Sequence, residues 1–411
     1  MFLKNFVARV FLVFTLSISS LTWADAQAGA TTNKRVVFVG ADSACTNSSL
    51  SPFRIWTTQV ANWNNWNDVS GRCFSGSFFQ YPTVTSIGQY ADSVAKLDPD
   101  IVVISAGANY ENLRSGLKFE NAYPIQQELE NYRRLLPQAK LVVVGAWSVS
   151  TSPTTLTKKV NATIVRAAKK VDAYYINSLK SNKFLAKFAK PNPARLNFVG
   201  QTQLALVVQN SLPKNLQSSR KWALFIGDSY TFGAGASTPS KRWSTLVANE
   251  FNVNEINFGI GGAGYLRSGK NFCGQPTCPN YDALIPDLKL VKPDYVFVAG
   301  GQNDLEIYSK NRWAAGQLIN KTFTDLKSEF PQATIFTVGP SYPSGNPAKG
   351  TAMAGMNDFI TEAANAISST RIPLLFPSVL TPEMLASDKV HPNDLGHQAI
   401  ADKVLSVIKP N

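Results

Sequence analysis

Ala223-Leu224-Phe225-Ile226-Gly227-Asp228-Ser229-Tyr230-Thr231-Phe232-Gly233 is the stretch from which the fold can be read. Four apolar residues of strand type run into Gly227, an aspartate and a serine follow, and Trp243 to Phe251 then has helical spacing. A serine on a strand-to-helix turn exposes its hydroxyl, and its own N–H lies at the positive start of a helix. A nucleophilic serine needs that setting. An ordinary turn can carry the same tripeptide, so the choice falls to the residues around it.

Working outward, the chain alternates strands and helices from Lys34 onward. Val36–Gly40, Ile101–Ser105 and Leu141–Gly145 read as strands, and Phe53–Trp63, Ile125–Leu136 and Leu156–Val171 as helices. Continuous Val/Ile/Leu strands separated by helices predict a parallel sheet covered on both faces. The second half repeats the first. Gly40 and Gly227 are 187 residues apart, and Trp56–Asn62 matches Trp243–Asn249 at the same separation. Pro99-Asp100 pairs with Pro293-Asp294 at 194, as does Pro137-Gln138-Ala139 with Pro331-Gln332-Ala333. Near the ends, Asn197 and Gly200 match Asn393 and Gly396 at 196. Such a period is too long for a solenoid and predicts two domains of one fold, residues 33–212 and 221–411, joined by the polar stretch Ser211–Lys221.

Residues 1–26 read as a signal peptide. Lys4 and Arg9 precede a short apolar core, Val10 to Leu21, and Ala24-Asp25-Ala26 offers a small-residue cleavage site. The expected product is secreted or held in the cell envelope or periplasm, with no transmembrane segment in the mature chain. Four cysteines suit that address; Cys273 and Cys278, five apart, are expected to pair, leaving Cys45 for Cys73. The formal net charge is +13, but the lysines and arginines are scattered and form no nucleic-acid module. An anionic envelope or an acidic polysaccharide is the partner this charge suggests.

Four blocks of the second half bear on chemistry. Gly227-Asp228-Ser229 is the first, and the glycine-rich loop Asn257-Phe258-Gly259-Ile260-Gly261-Gly262 the second, where backbone N–H groups can approach a ligand closely. Gly301-Gln302-Asn303-Asp304 follows the strand Tyr295–Ala299, at the end of a parallel sheet where ligands bind. Asp388-Lys389-Val390-His391-Pro392 supplies a histidine and, three residues earlier, an aspartate able to fix its tautomer. The protein has two histidines, and His397, at the start of the last helix, reads as structural. They offer no zinc spacing.

Taken together, the blocks resemble the SGNH (GDSL-type) hydrolase family, with Ser229, Gly262, Asn303 and His391 at its four positions in order. The resemblance covers Ala223 to Ile408. It implies a three-layer α/β/α flavodoxin-like fold, and with the internal repeat the expectation is two tandem α/β domains of that fold with mainly parallel sheets. It also implies ester hydrolysis through an acyl-enzyme: Ser229 as nucleophile, His391 as base, Asp388 as its partner, and Ser229 N–H, Gly262 N–H and Asn303 as the oxyanion hole. No metal or organic cofactor is called for.

The first half keeps the scaffold without that chemistry. Asp42 aligns with Ser229 (Ser43 only after an insertion), Ser70–Ser75 replaces the glycine loop, and Asn192 and Arg195 stand for Asp388 and His391. Asn109 alone persists. Arginine cannot accept a proton at working pH, so an inert half is expected. Its Trp56, Trp63 and Trp66 suit a packing face or an aromatic surface for a sugar. The expected substrate is a short-chain or acetyl ester, on a carbohydrate or an envelope polysaccharide. The alternatives are an O-acyltransferase with the same acyl-enzyme, a lipase or lysophospholipase, and a glycan-binding protein without turnover.

Overall fold

The computed structural model describes residues 33–409 apart from 41–53, 71–73, 76–85, 106–123, 149, 182–184, 192–193, 271–276, 342–346 and 376–377. In the first half, strands β1 (Arg35–Gly40), β2 (Asn67–Asp68), β3 (Ile101–Ser105), β4 (Lys140–Val144) and β5 (Tyr174–Ile176) form a parallel sheet in the order β2-β1-β3-β4-β5, with Phe74–Ser75 also paired to β1. In the second, β6 (Trp222–Gly227), β7 (Asn254–Gly259), β8 (Tyr295–Ala299), β9 (Thr334–Val338) and β10 (Thr370–Ile372) run β7-β6-β8-β9-β10, again all parallel. The order is the same doubly wound one in both halves. The fold is thus two α/β sheets with flanking helices, a tandem flavodoxin-like arrangement.

The repeat extends to backbone detail. Helix α1 (Trp56–Trp63) has its counterpart in Trp243–Glu250, and each is followed by an asparagine in the left-handed region, Asn65 and Asn252, both at φ 53°. Asn197 and Asn393 cap the last helix of each half by accepting the N–H of Gly200 and Gly396. Helix Phe53–Trp63, as expected from sequence, begins in the structure at Trp56.

Helices α2 (Pro124–Leu135) and α3 (Thr155–Lys170) cover one face of the first sheet. The other face is covered by α1 and by α4 (Phe198–Ser211), which is buried at every position from Phe198 to Gln209. A helix buried all round, its polar Gln201, Thr202, Gln203 and Gln209 included, must be enclosed on all sides, and α4 lies between the first sheet and the second half. Phe198 meets Phe258 of β7 at 6.3 Å, and Gln203 Nε2 donates to Asp287 O at 2.6 Å. The apolar core is continuous across both halves. Trp56, Trp63 and Trp66 are 0%, 3% and 7% exposed. Trp63 packs edge-on against Trp222 and donates its indole N–H to Glu255 O at 2.7 Å. These rings are packing groups, and Trp63 and Trp66 also edge a cavity between the two halves.

Cys278 is disulfide-bonded; the expected pairing with Cys273, and that of Cys45 with Cys73, fall outside the described residues, as does the expected leader. Among the described residues, no helix is long and apolar enough to cross a membrane.

One buried acid in the first half makes a pH-dependent contribution. Glu128 takes the Ser86 hydroxyl on Oε1, its Oε2 has no partner among the described residues, and burial pushes it up to about 8. A carboxyl raised on folding favours the native state while it is protonated there, so its contribution is full below the unfolded value and is lost as pH rises through about 8. The melting temperature should therefore fall between about pH 5 and about pH 9, and Glu128→Gln should flatten that decline. An unchanged slope in thermal melts would show that Glu128 is already ionised in the native state.

Candidate active site

Strand β6 ends at Gly227, where a Cβ would lie 2.1 Å from Thr231 Oγ1, so the turn closes only around glycine. Asp228 caps the short helix α5 (Ser229–Phe232) by accepting Tyr230 N–H at 2.9 Å, and Gly233, at φ 98°, ends it after four residues. Ser229 is thus the first helical residue, whose N–H has no intrahelical acceptor.

His391 arrives from the other end of the chain, in the loop before helix α6 (Asp394–Ile408). Its Nε2 is 3.0 Å from Ser229 Oγ, and its Nδ1 is 2.6 Å from Asp388 Oδ2. A proton held on Nδ1 by the carboxylate leaves Nε2 able to accept from the serine. Asp388 Oδ1 meanwhile accepts the N–H groups of Val390 (2.9 Å) and His391 (3.0 Å). The imidazole contact, then those two N–H groups, hold Asp388 down at about 2, so it stays ionised wherever the enzyme works. Tyr230 O–H donates to Val390 O at 2.5 Å, and Ser237 binds Asp394 through both N–H and hydroxyl, tying the histidine loop to the serine turn.

Gly262 adopts φ 74°, which is why glycine stands there, and no hydrogen bond among the described residues uses its N–H. Asn303 lies in the turn Gln302–Asp304 beyond β8. One of its amide N–H groups donates to Ala263 O at 2.9 Å; the same nitrogen makes a long 3.5 Å contact to Asp228 Oδ2. The five residues expected from sequence thus sit at the carboxyl ends of β6, β7 and β8, with Ser229 as the first residue of α5, and in the loop before α6.

Residues 225–399 match the GDSL-like lipase/acylhydrolase family. The C-terminal half belongs to that family. It is accordingly a carboxylic ester hydrolase domain. The chain is similar to the GDSL lipase Rv0518 of Mycobacterium tuberculosis, 27% identical over 195 residues, which are 44% of this chain and 79% of the relative. Among solved structures, it is similar to TesA (19% identity, TM-score 0.37, 46% of this chain and 99% of that one). It is also similar to a family two carbohydrate esterase from Cellvibrio japonicus (18% identity, TM-score 0.36, 46% and 60%).

Two buried aspartates of the GDSL-type domain carry structural work that no local motif announced. Asp304, fully buried, accepts the N–H groups of Tyr265 (2.8 Å), Leu266 (3.0 Å) and Arg267 (2.8 Å), and so pins the loop that follows Gly262. Asp228 also takes the side-chain amide of Gln302, linking the serine turn to the Asn303 turn. Burial pushes Asp228 up to about 7 and Asp304 to about 6. His397 is the structural histidine expected. It is fully buried, accepts Trp243 N–H on Nδ1 at 3.3 Å, donates to Ala234 O at 3.1 Å, and is pushed down to about 4 by burial.

In the first half, Asp42, Ser43, Asn109 and Asn192 lie outside the described residues. Arg195 falls on the short strand Ala194–Leu196, paired antiparallel with Ala189–Pro191. Among the described residues, no three His, Cys, Asp or Glu side chains form a metal-binding group.

Proposed function

We propose that the protein is an exported serine esterase acting through Ser229, His391 and Asp388 on a short-chain, carbohydrate-linked acyl ester. The hydrogen-bonded chain from Ser229 Oγ through His391 to Asp388 carries the proposal. Ser229 Oγ attacks the carbonyl carbon and its proton passes to His391 Nε2. Asp388 stays ionised and stabilises the imidazolium. The oxyanion is held by the N–H groups of Ser229 and Gly262 and by Asn303 Nδ2, whose long contact to Asp228 is the one it would give up. The alcohol leaves with the proton from His391. Water, deprotonated by His391, then attacks the acyl-serine, and the acid departs as Ser229 regains its proton.

The export and carbohydrate elements rest on the leader-like residues 1–26 and on the +13 charge, which suits an anionic envelope. Residues 221–411 would form the catalytic domain. Residues 33–212 would form a degenerate copy, lacking a base at Arg195.

The test is hydrolysis of p-nitrophenyl acetate and octanoate by wild type and Asn303→Ala. Acetate should be preferred, and the variant should lose about 100- to 1000-fold in kcat with little change in KM, since an oxyanion donor acts in the transition state. Preference for octanoate would replace the short-acyl assignment with a lipid one. A rise in KM at unchanged kcat would remove Asn303 from the oxyanion hole.

A further inference from the structure

Away from Ser229, a cavity of about 520 Å³ opens between the two halves. Its walls come from α1, α4 and the segment Pro239–Asn257, and none of Ser229, Gly262, Asn303, Asp388 and His391 lines it. The volume is that of a small-molecule site. Three arginines, Arg54, Arg220 and Arg242, face it with a single acid, Glu255.

That acid is already committed. Glu255 pairs with Arg242 at 2.9 Å and accepts the hydroxyls of Ser244 (2.6 Å) and Thr245 (2.7 Å). Neither Arg54 nor Arg220 has an ion pair among the described residues. Arg220 donates to the carbonyls of Asn62 and Trp63, both at 3.2 Å. Arg54 is 6% exposed; it lies over Phe198 at 4.5 Å and Phe232 at 4.4 Å, and one Nη donates to Gly259 O at 2.9 Å. Among the described residues its Nε has no hydrogen-bond partner. Burial, and then the neighbouring Arg242, push Arg54 down to about 9. A buried guanidinium that shares Glu255 with Arg242 and has no carboxylate of its own within ion-pair distance is costly, and an oxyanion relieves that cost by presenting two acceptors to the planar fork.

We propose that this cavity is a second ligand site, taking a small sugar that bears a carboxylate or a phosphate. Arg54 and Arg220 receive the anionic group, and the amides of Gln59 and Asn249, which also line the cavity, receive hydroxyls. The site is independent of the acyl chemistry at Ser229, because it is built from different residues and requires no turnover.

Calorimetry and thermal shift on the purified protein test it, with glucuronate, glucose 6-phosphate, inorganic phosphate and glucose as probes. At least one anionic sugar should bind at millimolar concentration or below and raise the melting temperature, more weakly at high salt, while glucose does not. Ser229→Ala should bind equally well. Arg220→Gln, whose side chain is partly open to solvent, should fold normally and lose about tenfold or more in affinity, as should Arg54→Gln if it folds. Whether glucuronate or glucose 6-phosphate binds more tightly identifies the anion. Absence of binding by both sugars, or binding unchanged in Arg220→Gln, overturns the proposal. Equal affinity for inorganic phosphate and glucose 6-phosphate overturns the role given to the amides.

Discussion

Replacing Ser229 with alanine should lower kcat for p-nitrophenyl acetate by about ten-thousand-fold or more, with the fold intact. The hydroxyl is 3.0 Å from His391 Nε2, and among the described residues no other hydroxyl contacts that nitrogen. The substitution removes the proposed nucleophile and little else. The residue's N–H is backbone, Asp228 still caps α5 through Tyr230 N–H, and Asp388 still holds Nδ1. A small residual rate should therefore survive from the oxyanion donors alone. His391→Ala should cost a similar factor, and the double variant no more than either, because the two act as one unit. Steady-state rates on the three variants check this. Full activity in Ser229→Ala would assign the nucleophile elsewhere.

How much of this was legible in the sequence depended on the range of the interaction. Strands Ile101–Ser105 and Tyr295–Ala299 have the same bounds in sequence and structure, because a short buried run between turn residues has little freedom of register. Ser229, Asn303 and His391 stand in short blocks beside strand ends and a helix start, so their setting is local. Helix α4 was harder to place. It has no polar face from which to read an orientation, and the reason is the second half packed on its far side.

Asp304 was invisible as a positioning group for a different reason. The N–H groups it accepts lie 37 to 39 residues away, and nothing at either place marks the other. Arg54 is the extreme case, reaching Gly259 O across 205 residues and from the half without catalytic blocks.

The glycine that receives Arg54 leads to the second large expected effect. Gly259 ends β7 immediately before the loop that carries Gly262, and it lies against the serine turn. A Cβ there would be 2.2 Å from Phe232 N, 2.6 Å from Thr231 C and 2.7 Å from Phe232 Cα. Every one of these atoms is backbone, so no side chain can swing aside. Gly259→Ala must push α5 and the end of β7 apart, which separates the Ser229 N–H from the Gly262 N–H. Displacing reacting groups by about 1 Å costs on the order of 100-fold in rate, so kcat should fall by at least that. His391 and Asp388 approach from the opposite end of the chain and keep their contact with each other, while the reacting groups on α5 shift, so the loss should appear in kcat far more than in KM. Kinetics beside a thermal melt check the outcome. A variant with wild-type kcat would mean that the two blocks can move apart without cost, and that their close packing is not what aligns the oxyanion donors.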